Sequence, residues 1–462
     1  MQQDLHSPLL KSPLRNANTP VRDMLNRLLF KQVEHGREEY LKIDDDDDDS
    51  YPMASFALGD ASSKATEHAL HAYSTPKKKP LTPIPLVKEP SRPRIPLLDN
   101  ARAALIFLVV LYHSIVVYTS ADRPDNTIKY WSGLLMLLKP VVMPAFCFIS
   151  GHVSRPEIST RRAYELAQIF VVYLIFQCLY HVNNLISFRM AGFPYRTIPL
   201  QVFQPKEQVV TWFLFTLTIW RLLLPVTVEL RTPLTVSVML GLGALLVDLG
   251  QNYQNLFSFL PYFVAGALIP PRWFDFDSRP MLRFSLASLF VLTGAGLAMY
   301  SQCTSFKHIF SVVHDCYACF SGTAPDSDPF MCSTYSHVLY RALFYASSVP
   351  LIIGFFSLLP RQVGFWTVPG FMSMYIYLLH PLLIANAAVM KLVFNWLSDL
   401  SGREVNVWSP ADKGWPLLII VLGSFLVCIL LSTPPIRVLF WPLVQPPLHV
   451  FLQPRVRNAL AS

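Results

Sequence analysis

The apolar positions of this chain fall into long runs, not into alternating patterns. From Ala101 onward, stretches of roughly 18–24 mostly apolar residues recur, the length a helix needs to cross a hydrocarbon core of about 30 Å. Polar segments rich in Pro, Gly and charge separate them. The pattern predicts spans at 101–119, 131–150, 163–186, 209–225, 234–249, 256–270, 282–301, 338–359, 371–393 and 415–433. The fifth and sixth are short for a crossing. No stretch reads as a series of alternating strands of about ten residues, which argues against a β-barrel. Backbone groups in lipid must be bonded within the chain, and helices do that. The predicted fold is all-α: a polytopic membrane bundle of about ten transmembrane helices with a disordered N-terminal tail.

Composition sharpens this picture. The 462 residues are 52% hydrophobic and 15% charged, against about 25% charged in ordinary soluble domains. Residues 1–93 stand apart. They hold an aspartate run from Asp44 to Asp49, the basic triplet Lys77, Lys78 and Lys79, and many prolines. Such a segment buries too little apolar surface to fold and is expected to be a disordered cytosolic tail. The aspartate run is either a solvated linker or a weak site for calcium or a partner. Residues 94–445 form the expected transmembrane domain and 446–462 a cytosolic C-terminal tail. The first apolar run starts too late for a cleaved leader, so it is expected to act as an uncleaved insertion signal. The net charge of +8 is scattered among the loops. It points to anionic membrane lipids as partners, with no nucleic acid.

Ten spans put both termini on one face. Loop arginines, among them Arg155, Arg161, Arg162, Arg231, Arg361 and Arg437, favour a cytosolic N-terminus. Four of the seven cysteines (Cys303, Cys316, Cys319 and Cys332) then share one lumenal or outer loop. Four cysteines in an oxidising compartment read as two disulfides, with the pairing open. Cys316-x-x-Cys319 alone would also suit zinc, but the loop lacks a standard zinc spacing, and no metal site is expected. Cys147, Cys178 and Cys428 fall inside helices and read as apolar packing. The membrane itself is expected to be a secretory-pathway or plasma membrane.

Ionisable groups within a membrane helix are costly, so each is a functional candidate. Arg102 and His113 are eleven residues apart on the first span. That is three helical turns with about 20° of drift, which places both on one stripe about 16 Å apart. Arg102 sits at the expected cytosolic end, where its fork suits phosphate, and Asp99 can hold it in place. His113 lies near mid-depth. His380 lies at similar depth in Tyr375-Ile376-Tyr377-Leu378-Leu379-His380-Pro381, where Pro381 should free a carbonyl. Two imidazoles facing one cavity would suit proton transfer from a hydroxyl. Alternatively, each is a packed helix histidine bonded to a neighbour.

Four stretches together resemble the acyltransferase 3 family of polytopic membrane O-acyltransferases. Asp99-x-x-Arg102 followed by ten residues and His113 resembles the family's first-helix signature. Phe148-Ile149-Ser150-Gly151 is similar to its Ser-Gly turn, and Trp212-Phe213-Leu214 to its Trp-Phe-Leu segment. Ser373 through Tyr377 to His380-Pro381 is similar to its late Tyr-Leu-Leu-His-Pro segment. Ala103 stands where a glycine is common, and His152 where an aromatic or aliphatic residue is usual.

The resemblance implies an O-acyltransferase with acyl-CoA, expected to be acetyl-CoA, as a donor substrate and no permanently bound cofactor. The acceptor would be a hydroxyl of a carbohydrate or a lipid-linked molecule. His113 would be catalytic, as general base or acyl relay. Arg102 would bind donor phosphates, with Arg161 and Arg162 either adding contacts or serving as positive-inside anchors. Asp99, Lys139, Ser150, Trp212, Tyr377 and His380 are supporting or acceptor-binding candidates. Lys139 either lines the cavity or reaches the lumenal surface, and Trp212 either anchors at the interface or stacks on a sugar. A transporter of a small polar solute and a non-catalytic membrane scaffold are the alternatives.

Overall fold

A computed structural model describes residues 95–119, 128–157, 159–190, 210–246, 251–270, 280–300, 334–384 and 415–451. All regular structure among the described residues is helical. The helices are α1 (Pro96–Thr119), α2 (Ile128–His152), α3 (Thr160–Met190), α4 (Thr211–Val228), α5 (Pro233–Gly243), α6 (Gln251–Ser258) and α7 (Leu260–Leu268). They continue with α8 (Pro280–Tyr300), α9 (Thr334–Leu358), α10 (Thr367–Phe371), α11 (Ser373–Ile384), α12 (Trp415–Leu431) and α13 (Pro434–Val444). Short 3₁₀ turns follow α5 at Ala244–Leu246 and α13 at Leu448–Phe451.

A helix lies at each of the ten predicted spans, but several are divided. The span at 256–270 is split near Phe259, because Pro261 stands in the first turn of α7. It has no N–H for the preceding turn, and its ring clashes with the carbonyl four residues back. Among the described residues, four segments are long and apolar enough to cross a membrane: Pro96–Val116, Thr160–Ser187, Thr211–Val228 and Val338–Leu358. Leu418–Leu431 and Pro434–Val444 make a fifth if counted together, bent by 73°. The two prolines opening α13, Pro434 and Pro435, account for that corner, and α13 had no counterpart among the predicted spans. The last part of the predicted span 371–393, the cysteine-bearing loop and the N-terminal tail lie outside the described residues.

One contiguous apolar core joins α1, α2, α3, α4, α7, α9, α11 and α12. Two glycines bring α2 and α7 into backbone contact. A Cβ at Gly151 would strike the carbonyl of Phe263, and one at Gly266 the carbonyl of Phe148. A Cβ at Gly370 would strike the carbonyl of Asp99, so α10 lies directly against the start of α1. The break between α6 and α7 is met by Arg341 of α9, which is 1% exposed. Its Nη1 donates to the Gly241 carbonyl at 3.2 Å and also to Ser258 Oγ. Tyr345, one turn on, donates to the Ser258 carbonyl at 3.0 Å. Backbone groups freed by a broken helix cannot turn to water here. Tyr345 supplies a partner at the break, and Arg341 ties Ser258 to the end of α5. Cys147 and Cys428 are buried as expected for packing, whereas Cys178 lies on the exposed side of α3.

Candidate active site

The site is built on α1. Arg102 Nη1 donates to Asp99 Oδ1 at 2.9 Å, one turn apart. The Asp99 side chain is 6% exposed and that of Arg102 27%, so the carboxylate is held inside while the guanidinium keeps an open side. Asn100 fixes this end of the helix. Its Nδ2 donates to the carbonyls of Pro360 and Gln362 at 2.9 and 3.0 Å, and its Oδ1 accepts the Thr367 hydroxyl at 2.7 Å. The start of α1 is thereby tied to the connection between α9 and α10.

Three turns along, His113 is half-buried. Its ring lies against His380 of α11, with centroids 5.3 Å apart and planes inclined by 34°. His380 is fully buried, at 0% exposed. Its Nδ1 lies 3.0 Å from the Ile376 carbonyl. A carbonyl only accepts, so Nδ1 carries the proton and Nε2 the lone pair. Pro381 leaves the Tyr377 carbonyl without its usual backbone donor. Nε2 is buried and has no hydrogen-bond partner among the described residues.

Other elements hold α11 in register. Tyr180 of α3 donates its hydroxyl to the Leu378 carbonyl at 2.5 Å. Tyr377, 6.3 Å from His380 by ring centroids, donates its hydroxyl to the Val210 carbonyl just ahead of α4. Thr211 donates to Gln177 of α3 at 2.7 Å. The Trp-Phe-Leu segment is therefore joined to the His-Pro segment through Tyr377.

At the Arg102 end a surface cavity of about 180 Å³ opens between the α2–α3 connection and α4. Ser154, Arg155, Glu157, Arg161, Arg162, Glu165 and Arg221 line it, so its four cations outnumber its two carboxylates. Arg221 Nε donates to Ser154 Oγ at 3.1 Å, and Arg162 Nη2 to the Arg221 carbonyl at 2.5 Å. The charges of Arg102 and Arg162 both bear on Arg221. Arg161 is the outermost, its side chain 80% exposed and paired with Glu165 at 3.4 Å.

The sequence profile of the acyltransferase 3 family, described as an acyltransferase domain, matches residues 95–433. The chain belongs to the acyltransferase 3 family. No curated protein and no solved structure matches it. In general terms this acyltransferase 3 protein is a membrane acyltransferase.

Within this acyltransferase 3 domain the predicted residues fall into two groups and several single positions. His113 and His380 meet. Arg161 and Arg162 line the cavity; Arg102 is not part of its lining and is steered by Asp99. Ser150 lends its carbonyl to Ser154 Oγ at 2.6 Å, so it supports the cavity wall through its backbone. Trp212 is 7% exposed and stacks on Phe259 with centroids 5.5 Å apart, which places it in the core. Lys139 is half-buried on α2 beside Pro140. His152 spends Nδ1 on the carbonyls of Gly266 and Ile269, at 3.3 and 3.1 Å, closing the end of α7. Ala103 is buried at 1%.

Sequence reasoning passes over Arg221, Ser154 and Asn100. Arg221 carried a usable signal, an arginine within the apolar run Thr211–Val228. Ser154 and Asn100 carried none, since their partners are remote in the chain.

Proposed function

We propose that this protein moves an acyl group, acetyl in the first instance, from cytosolic acyl-CoA to a hydroxyl of a carbohydrate or lipid-linked acceptor. The observation that supports it most is the half-buried His113 against His380, on the same helix as Arg102 and about 16 Å deeper. A donor with phosphates at one end and a thioester on a long arm fits that spacing. Arg102, Arg162 and Arg221 supply a concentrated positive field for the phosphates, with bidentate geometry at each fork. The arm carries the thioester to His113.

There the acceptor oxygen attacks the thioester carbonyl carbon as His113 takes the hydroxyl proton. The C–O bond forms, the C–S bond breaks, and the leaving thiolate takes the proton back from His113. A positioned imidazole base contributes about 10²–10⁴-fold to such a step. Water is kept from the thioester by the apolar walls of α1 and α11.

The test is to reconstitute the purified chain in vesicles with labelled acetyl-CoA outside and a panel of glycoside and lipid-linked acceptors. Covalent label on an acceptor hydroxyl is the expected result. Solute flux with no dependence on the thioester would instead mark a transporter.

A further inference from the structure

Resting on the acyl-transfer reading above, we propose that His380 is the positioning partner of His113. In the reacting complex its Nε2 accepts the second N–H of His113, aims the opposite nitrogen at the acceptor hydroxyl, and shares the charge of the imidazolium. Three observations carry this. The first is the fixed tautomer: the Ile376 carbonyl holds the proton on Nδ1, so Nε2 presents a lone pair. The second is that this lone pair is buried and without a donor among the described residues. A buried acceptor without a donor costs free energy, which a structural histidine has no reason to incur. The third is access. His380 is 0% exposed while His113 is half-buried, so a substrate reaches His113 first and His380 acts through it.

The charge balance requires such a partner. Taking the hydroxyl proton makes His113 cationic inside an apolar wall, where a lone charge is strongly penalised. In hydrolytic triads a carboxylate answers this need. Here α11 and α12 carry no acidic residue, and the single acid of α1, Asp99, is committed to Arg102. His380 is the polar group at hand. The rings are adjacent, with centroids 5.3 Å apart, but not hydrogen-bonded in the resting chain; turning the His113 ring toward Nε2 in the reacting complex makes the bond. Two adjacent cations would repel, so the pair holds one excess proton at most. That proton returns through His113 to the thiolate when the C–S bond breaks, and both rings end neutral.

His380→Asn separates this role from packing. Its side-chain amide sits where Nδ1 does and still donates to Ile376, but nothing replaces Nε2. The expected result is a fall in kcat of about 100-fold, with the donor KM and the melting temperature unchanged. His380→Gln brings an amide oxygen near the Nε2 position and should hold kcat within about tenfold of wild type. Should the Asn variant fail to fold, the Gln variant carries the test. A folded His380→Asn at the wild-type kcat, or a folded His380→Gln as slow as His113→Ala, overturns the assignment while leaving acyl transfer in place. A wild-type chain that transfers no acyl group overturns the underlying reading and the assignment with it.

Discussion

Thr367 donates its hydroxyl to the amide oxygen of Asn100 at 2.7 Å, and the two are 267 positions apart in the chain. Thr367 Oγ1 in turn accepts the Gly364 N–H at 2.9 Å. Both side chains are buried, Asn100 at 2% and Thr367 at 1%. Every hydrogen-bonding atom of the Asn100 amide is therefore spoken for by the segment after α9. Asp99 and Arg102 flank this clamp: Asp99 directs the guanidinium, and the clamp fixes the helix end that carries both.

Asn100→Ala should lower stability by about 2–3 kcal/mol, since it strands the Thr367 hydroxyl and two carbonyls in a buried place. Thermal unfolding in detergent checks this. The donor KM should also rise more than kcat falls, because Arg102 loses its setting while His113 keeps its own.

The contact between α2 and α7 gives an independent prediction. Gly151→Ala and Gly266→Ala each drive a Cβ into a carbonyl of the other helix, and rigid backbone cannot yield as a side chain does. Each should cost about 3 kcal/mol or more, read as lost folded yield. Gly243→Ala meets open space and should be tolerated, even gaining slightly from helix propensity.

The cavity arginines should not be equal. Arg162 and Arg221 are held by hydrogen bonds that aim them, whereas Arg161 is exposed and paired only with Glu165. Arg162→Ala and Arg221→Ala should each raise the donor KM about tenfold with little change in kcat. Arg161→Ala should move it by less than about threefold, as exposed pairs contribute less than about 1 kcal/mol. Titrating acyl-CoA against the initial rate checks all three.

The bundle and the shared stripe of Arg102 and His113 were legible because both are written in local chemistry, whereas the contact of His113 with His380, far along the chain, was one of two readings the sequence left open. Long apolar runs declare helices, and Arg102 and His113 share a stripe by helical arithmetic alone. The divisions within the bundle were less so. Pro261 breaks α6 from α7, yet Pro140, Pro144 and Pro350 sit inside continuous helices. What decides is whether a neighbour such as Tyr345 answers the freed groups, and that is tertiary. Trp212 could be placed on α4 from sequence, but its stacking partner Phe259 comes from the break between α6 and α7. His152 looked like a departure near the chemistry, and it closes the end of α7. Arg221 was visible as a lone charge in an apolar run, but its Ser154 partner lies 67 positions away, so its place beside the cavity was not.

On the proposed mechanism His113 is the base that enables acyl transfer. The direct measurement compares purified wild type and His113→Ala, both shown to be folded, for the rate at which labelled acetyl moves from CoA to a hydroxyl acceptor. A fall of about 100-fold or more, with acyl-CoA still bound at wild-type affinity, is the predicted result. Transfer by His113→Ala at the wild-type rate would contradict it.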